Sequence, residues 1–302
     1  MSDSFPCDHA HAAQFGGVLS PQPTWQDSAA IILPIPFERT TSYGQGTKNG
    51  PRELITASAQ VELWDEEMSA DVHEYGMFTA PELDLTAASI PEAMREIEAA
   101  AGRVMDMKKF LITLGGEHSI TAPLVAAAVA RTPGLSVLQI DAHADLRDHY
   151  LDEKNSHACA MRRTLEHAPV VQVGIRNISD EEVKALPSLR TRIFYDWNMR
   201  DDPRWMDAVV GSLSDDVYVT IDLDGLEPGL MPAVGTPEPG GLSWREATGL
   251  LRKVFERRNV VACDVVELCP VPGLLSPNFA AARLVYKLLT YKFAAARRRT
   301  TP

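Results

Sequence analysis

Asp141, His143 and Asp145 stand on alternate residues of the string DAHAD, directly after the apolar run SVLQI. Alternate residues of an extended segment point the same way, so three ligand-type side chains leave one strand end on one face. Uncompensated charge is costly to bury, and a cation held among the three would remove that cost. Taken singly, DAHAD is equally the sequence of a solvated acidic turn.

The pattern recurs. In TIDLDGLEP, Asp222 and Asp224 alternate directly after the run Val217 to Ile221, and a third run, Phe110 to Leu114, ends in GGEHS. That places His118 just past a pair of glycines, where backbone can approach closely. On its own His118 reads as a helix-start residue, and Asp222 and Asp224 as turn formers before Gly225. Three strand ends carrying the same chemistry point to one shared centre. Two histidines and four aspartates make an oxygen-rich donor set, harder than the Cys and His sets of structural zinc and matched to a pair of Mn²⁺ ions. Two divalent ions balance four carboxylates, and counting a bridging hydroxide leaves the cluster at about −1, which favours a cationic substrate.

The elements that must position these residues are visible as apolar runs separated by helical patterns. The runs are Ala29 to Leu33, Phe110 to Leu114, Leu135 to Ile140, Val170 to Val173, Arg192 to Tyr195, Val217 to Ile221 and Val260 to Val266, with a further strand expected at Gly76 to Thr79. Such alternation predicts a parallel sheet with helices on both faces. Ser89 with Glu92, and Ser243 with Glu246, are capping-box signatures. The first opens a helix with Met94, Ile97, Ala101, Val104 and Met105 inward, the second one with Ala247, Leu250, Leu251, Val254 and Phe255 inward. A last helix starting near Pro277 buries Ala281, Leu284, Val285, Leu288 and Leu289. All candidate ligands then fall at carboxyl ends of strands, where open α/β sheets place their sites.

The chain has 302 residues, 45% of them hydrophobic, enough for one large α/β domain. A net charge of −12 argues against nucleic acid as a partner. Cys7, Cys159, Cys263 and Cys269 form no CxxC pair, so they are expected to be free thiols. No run reaches the roughly 18 apolar residues of a membrane span, and the amino terminus lacks the regions of a signal peptide, so no membrane partner and a cytoplasmic location are expected. Residues 1–25, with Pro6, Pro21 and Pro23, read as an extended arm on the body or on a neighbouring subunit. Residues 26–293 read as a single catalytic domain, and 294–302, with Arg297, Arg298 and Arg299, as a frayed basic tail. Gly44, Gly46 and Gly50 do not have the spacing of a phosphate loop and are read as a surface loop ending in Pro51 at a helix start.

GGEHS, DAHAD, TIDLDGLEP with GTPEPGGL after it, and VVELCP together resemble the ureohydrolase family of arginases and agmatinases. SYGQGTKNGPREL is similar to that family's amino-terminal signature, so the likeness spans roughly residues 30 to 292. The resemblance implies a three-layer α/β/α sandwich with an eight-stranded, mainly parallel sheet, and a homotrimer or homohexamer. It implies two Mn²⁺ per chain, with Ni²⁺ left open. Carried over by position, His118, Asp141, Asp145 and Asp222 would hold one ion, and Asp141, His143, Asp222 and Asp224 the other, with Asp141 and Asp222 as bridges. Asp145 would relay a proton, His157 in SHACAMRR would be the proton shuttle, and Glu267 in VVELCP would grip a guanidinium through paired hydrogen bonds. The products would be urea and an amine. Outside that likeness, His157 reads as an exposed loop histidine and Glu267 as an acid paired with an arginine such as Arg283. One departure is Glu227, where the family usually has Asp.

Arginases carry an SGN-type stretch before the shuttle histidine, and this chain has LRDHYLDEKNSHAC there. Asp148, Asp152 and Glu153 are expected to repel a carboxylate and to suit the cationic tail of agmatine. Lys154, Arg162 and Arg163 leave guanidinobutyrate or another guanidino acid open, and free guanidine needs no tail pocket. Other readings are a single-zinc amide hydrolase of related fold, disfavoured because it lacks the second DAHAD ligand position, and a catalytically silent metal-binding subunit, disfavoured by the complete ligand set.

Overall fold

The computed structural model describes residues 13–17 and 23–300, with the side chains of 295–300 excepted. In chain order its strands are β1 (Ala30–Ile35), β2 (Trp64–Asp65), β3 (Ala70–Asp71), β4 (Met77–Thr79), β5 (Phe110–Gly115), β6 (Ser136–Ile140), β7 (Val170–Ile175), β8 (Thr191–Tyr195), β9 (Asp216–Asp222) and β10 (Asn259–Val266). Eight of them form one sheet in the order β4-β1-β5-β10-β9-β6-β7-β8, parallel at every pairing. The expected sheet is therefore wholly rather than mainly parallel. The runs read from sequence each fall on one of its strands. The two-residue strands β2 and β3 pair separately and antiparallel, too short to leave a periodic signal.

The helices are α1 (Gly50–Ser58), α2 (Ile90–Asp106), α3 (Thr121–Val129), α4 (Ala160–Thr164), α5 (Asp180–Ala185), α6 (Trp205–Ser212), α7 (Trp244–Arg257) and α8 (Ser276–Thr300). Because strand side chains alternate in direction, each strand feeds two cores. Ile32, Ile112, Val219 and Val265 pack with α1, α6, α7 and α8 on one face. Ile31, Leu111, Tyr218 and Ala262 pack with α2, α3 and α4 on the other. Both predicted capping boxes are present, and a third, Ser179 with Glu182, opens α5. Pro51 stands in the first turn of α1.

Most of the expected amino-terminal arm lies outside the described residues. Its described part docks on the body: Phe15 is buried and donates its amide to Thr79 Oγ1 at 2.8 Å. At the other end the backbone of α8 is helical to Thr300, through most of the segment expected to be frayed, while the side chains of Arg297, Arg298 and Arg299 lie outside the described residues. No helix is long and apolar enough to cross a membrane among the described residues. Cys159, Cys263 and Cys269 are free thiols; Cys7 lies outside the described residues.

Candidate metal centre and active-site cavity

β5, β10, β9 and β6 are successive neighbours in the middle of the sheet, and their carboxyl ends carry the candidate residues. His118 follows β5, Asp141 follows β6 directly, Asp222 is the last residue of β9, and Glu267 comes right after β10. The alternation read from sequence is realised differently in the two acidic motifs. Residues 141–145 leave the strand as a loop bonded to the turn after β7, with Arg176 and Asn177 donating their amides to Ala142 O at 2.9 and 3.0 Å. Asp145 comes back to the centre through a left-handed backbone, φ 53°. Asp224 lies in a single 3₁₀ turn after β9, its amide held by Asp222 Oδ1 at 2.9 Å. Asp222 thus serves as a turn former and a member of the cluster at once.

His118 Nδ1 lies 3.1 Å from Asp141 Oδ2, 3.1 Å from Asp145 Oδ2 and 3.2 Å from Asp222 Oδ2. It is a buried nitrogen with no hydrogen-bond partner among the described residues. Spacings of about 3 Å separate adjacent donors around an octahedral ion with bonds of about 2.1 Å. The orphaned nitrogen and the three converging oxygens therefore fit a divalent cation. On the neighbouring side His143 Nδ1 lies 2.9 Å from Asp224 Oδ2 and 3.7 Å from Asp141 Oδ1. Asp141 is common to the two groupings, which are His118, Asp141 and Asp145, and Asp141, His143 and Asp224. None of the four aspartates pairs with Lys or Arg among the described residues.

Hydrogen-bond counting fixes the His118 tautomer. Thr220 gives its hydroxyl proton to Asp264 Oδ1 at 2.6 Å, so Thr220 Oγ1 must accept from His118 Nε2, 2.9 Å away. In the neutral ring Nδ1 then has its lone pair toward the aspartates, the form a metal ligand needs. Asp264 is fully buried and also accepts from Tyr218 Oη at 2.8 Å and Thr121 Oγ1 at 3.1 Å. Asp141 is held in turn by Gln139 Nε2 at 2.6 Å, and Gln139 by Gln172. These supporting residues were missed from sequence, although a signal existed. Gln139, Thr220 and Asp264 are polar side chains inside otherwise apolar strands.

The electrostatics follow from crowding. Burial pushes His143 toward neutrality, but Asp141 and Asp224 outweigh it and raise its pKa to about 12. His118 is likewise raised well above its ordinary value by Asp141, Asp145 and Asp222 against the effect of burial. Asp145 is pushed up to about 7 by burial and by the charge of Asp141, and Asp222 is raised by burial and by Asp224. Burial raises Glu267 too, with the nearby Glu117 charge adding to it.

Glu267 and His157 converge on the same cavity of about 220 Å³. Glu267 adopts φ 67° and accepts the His118 amide on Oε1 at 2.7 Å. Arg283 is elsewhere, paired with Glu66 at 2.8 Å. His157 packs edge-on against Tyr150 with ring centroids 5.8 Å apart, and burial lowers its proton affinity against the opposing charge of Glu117.

The cavity wall departs from the tail recognition expected from sequence. Asp148, Asp152 and Glu153 do not line it. Asp148 is bound to Arg163 at 2.6 Å with Arg162 at 3.6 Å, and Glu153 Oε1 accepts the Asn155 amide at 2.7 Å. Acidity in sequence was consumed by neighbouring arginines and a turn. The cavity is walled instead by Tyr43, Tyr150, Asn177, Glu182 and Thr236, with Arg147 stacked on Tyr150 at 5.5 Å. Glu227 is exposed and away from the cavity, its amide bonded to Leu242 O at 3.0 Å.

The profile of the arginase family matches residues 28–290. An N(1)-aminopropylagmatine ureohydrolase of Synechocystis is 39% identical over 89% of this chain and 90% of its own length. An agmatinase of Pyrococcus horikoshii is 32% identical over 87% and 92%. The crystal structure of the agmatine ureohydrolase of Thermoplasma volcanium superposes with a TM-score of 0.86 at 26% identity, covering 95% of this chain and 97% of that one.

Proposed function

The chain belongs to the arginase family, as an agmatinase-type ureohydrolase that cleaves C–N bonds of amidines, and on that premise we propose that its substrate is N(1)-aminopropylagmatine, split into urea and a triamine. The observation that carries the reaction is the cluster of four buried aspartates, Asp141, Asp145, Asp222 and Asp224, whose only ion-pair partners among the described residues are His118 and His143. Such a cluster suits two divalent ions below and a cation above.

His118, Asp141, Asp145 and Asp222 would hold one Mn²⁺, and Asp141, His143, Asp222 and Asp224 the other. Bound ions would supply Lewis acidity that activates water near neutral pH and stabilises developing negative charge. The chain's own groups do the rest. Glu267, with Oε1 anchored by the His118 amide, offers Oε2 to the guanidinium and orients its carbon. Asp145, beside His118 in the cluster, would relay a proton toward the departing amine. His157 gives a proton to the departing amine, which cannot leave as an anion.

The tail assignment rests on the 39% identical relative and on the wall of the cavity. Tyr43 is 82% exposed at the mouth. Exposed aromatic faces attract ammonium groups, and an aminopropyl extension carries an additional amine to that rim. Arg162 and Arg163, bound to Asp148, do not serve a substrate carboxylate. Agmatine itself is the second reading, favoured by the likeness to the agmatine ureohydrolase of Thermoplasma volcanium. Urea release is to be measured side by side from N(1)-aminopropylagmatine, agmatine, arginine, guanidinobutyrate and guanidine. The expected order puts the first at least about tenfold above agmatine in kcat/KM, about 1.4 kcal/mol of transition-state binding. Equal values would favour agmatine, and no urea from a Mn²⁺-loaded protein would sink the assignment and favour a silent subunit.

A further inference from the structure

We propose that Thr40, held by the buried carboxylate of Glu117, fixes the imidazole of His157 with a proton on Nδ1 and so makes Nε2 the nitrogen offered to the cavity. The inference rests on the reading of His157 as the proton shuttle and supplies a positioning residue for it.

Three chain segments meet here: Thr40 in the loop after β1, Glu117 after β5 and His157 in the loop after β6. Glu117 is fully buried and accepts four hydrogen bonds, from the amides of Arg39 and Thr40 on Oε2 at 2.6 and 2.7 Å, and from the hydroxyls of Thr40 and Ser119 on Oε1 at 2.7 and 2.6 Å. Thr40 Oγ1 also lies 2.9 Å from the His157 amide nitrogen and 3.1 Å from His157 Nδ1. A hydroxyl has one proton and two lone pairs. The shorter, charge-assisted bond to Glu117 takes the proton. One lone pair accepts the His157 amide, and the other, facing Nδ1, is satisfied when Nδ1 carries the proton.

The second neighbour of Nδ1, Ser156 Oγ, is farther off at 3.3 Å. Glu117, His118 and His143 are the charged groups that act on the ring, and Tyr150 presses on it edge-on. With Nδ1–H anchored, the ring can take up and release a proton at Nε2 without turning. After delivering that proton to the departing amine, His157 is left neutral with Nδ1–H still bonded to Thr40. Thr40 never touches the substrate in this scheme.

The test is a double-mutant cycle on the Mn²⁺-loaded enzyme. Thr40→Val, which keeps the shape and removes the hydroxyl, should lower kcat about tenfold with KM within about twofold, and Thr40→Ser should restore it. Metal content should stay at the wild-type value in both. In the His157→Ala background, Thr40→Val should change kcat by less than about twofold. A full tenfold loss in that background, or a fall in bound metal, would show that Thr40 acts by some other route and overturn the proposal. Unaltered kcat in Thr40→Val, with His157→Ala impaired, would remove Thr40 alone. Wild-type turnover in His157→Ala would instead remove the shuttle on which the inference rests.

Discussion

His118 and His157 are oriented by the same device. Each commits one ring nitrogen to a threonine hydroxyl whose proton is already committed to a buried carboxylate, Thr220 with Asp264 for the first and Thr40 with Glu117 for the second. A threonine used this way passes the preference of a fixed anion to a ring to which the anion itself is not hydrogen-bonded. A buried carboxylate is costly to keep, and fixing a tautomer is a reason to keep it. Thr220→Val should leave the fold intact and lower Mn²⁺ affinity about 10- to 100-fold, the usual consequence of removing a partner of a metal ligand. Titration of the apoprotein with Mn²⁺ reads this directly, and unchanged affinity would mean that the tautomer is set elsewhere.

At the scale of elements, the strands were legible because both faces of the sheet are covered, which turns each strand into a continuous apolar run. Polar residues within those runs, Gln139, Thr220 and Asp264, marked the support of the site and were passed over because no local pattern distinguishes a partnered buried acid from a solvent-facing one. The cavity wall was illegible for a related reason. Whether Asp148 faces a substrate or Arg163 depends on how a loop returns over α4, and sequence spacing is silent on that. Glycines at the strand ends carry a sharper message. A Cβ on Gly116 would stand 2.2 Å from Phe37 O, while Gly116 N bonds Ile35 O at 3.0 Å and Gly116 O accepts the Glu267 amide at 2.8 Å. Gly116→Ala must therefore spread the ends of β1, β5 and β10 and move His118 and Glu267. A loss of about 1–3 kcal/mol in urea unfolding is expected, together with substoichiometric Mn²⁺. Wild-type values of both would show that the ends have room to move.

For the whole molecule, the centre concentrates like charge at one end of the sheet, in a chain that already carries −12. Without ions, His118 and His143 keep their protons well above the ordinary histidine range, and Asp145 and Asp222 keep theirs well above the carboxylate range. Ions bind the deprotonated forms, so loading must expel protons, and the apparent affinity rises as pH rises through these raised values. Because bound Mn²⁺ would stabilise the native state by an amount that grows with the logarithm of its affinity, about 2.7 kcal/mol at a hundredfold excess over Kd, the gain in Tm should be larger at pH 8 than at pH 6. Calorimetry in two buffers of different ionisation enthalpy should show proton release. A gain independent of pH would contradict the protonation states that the crowding imposes.

The strand order has a further consequence, in time rather than in space. β5 and β6 are consecutive in the chain, yet β10 and β9 lie between them in the sheet. A chain leaving the ribosome must therefore keep a gap open between its own β5 and β6 until residues 216–266 arrive to fill it. Asp141 waits for Asp222 and Asp224, and His118 for Glu267, across more than 80 residues of later synthesis. Ion capture by the complete centre would then be a late event, after the non-local pairings that make parallel sheets slow to fold.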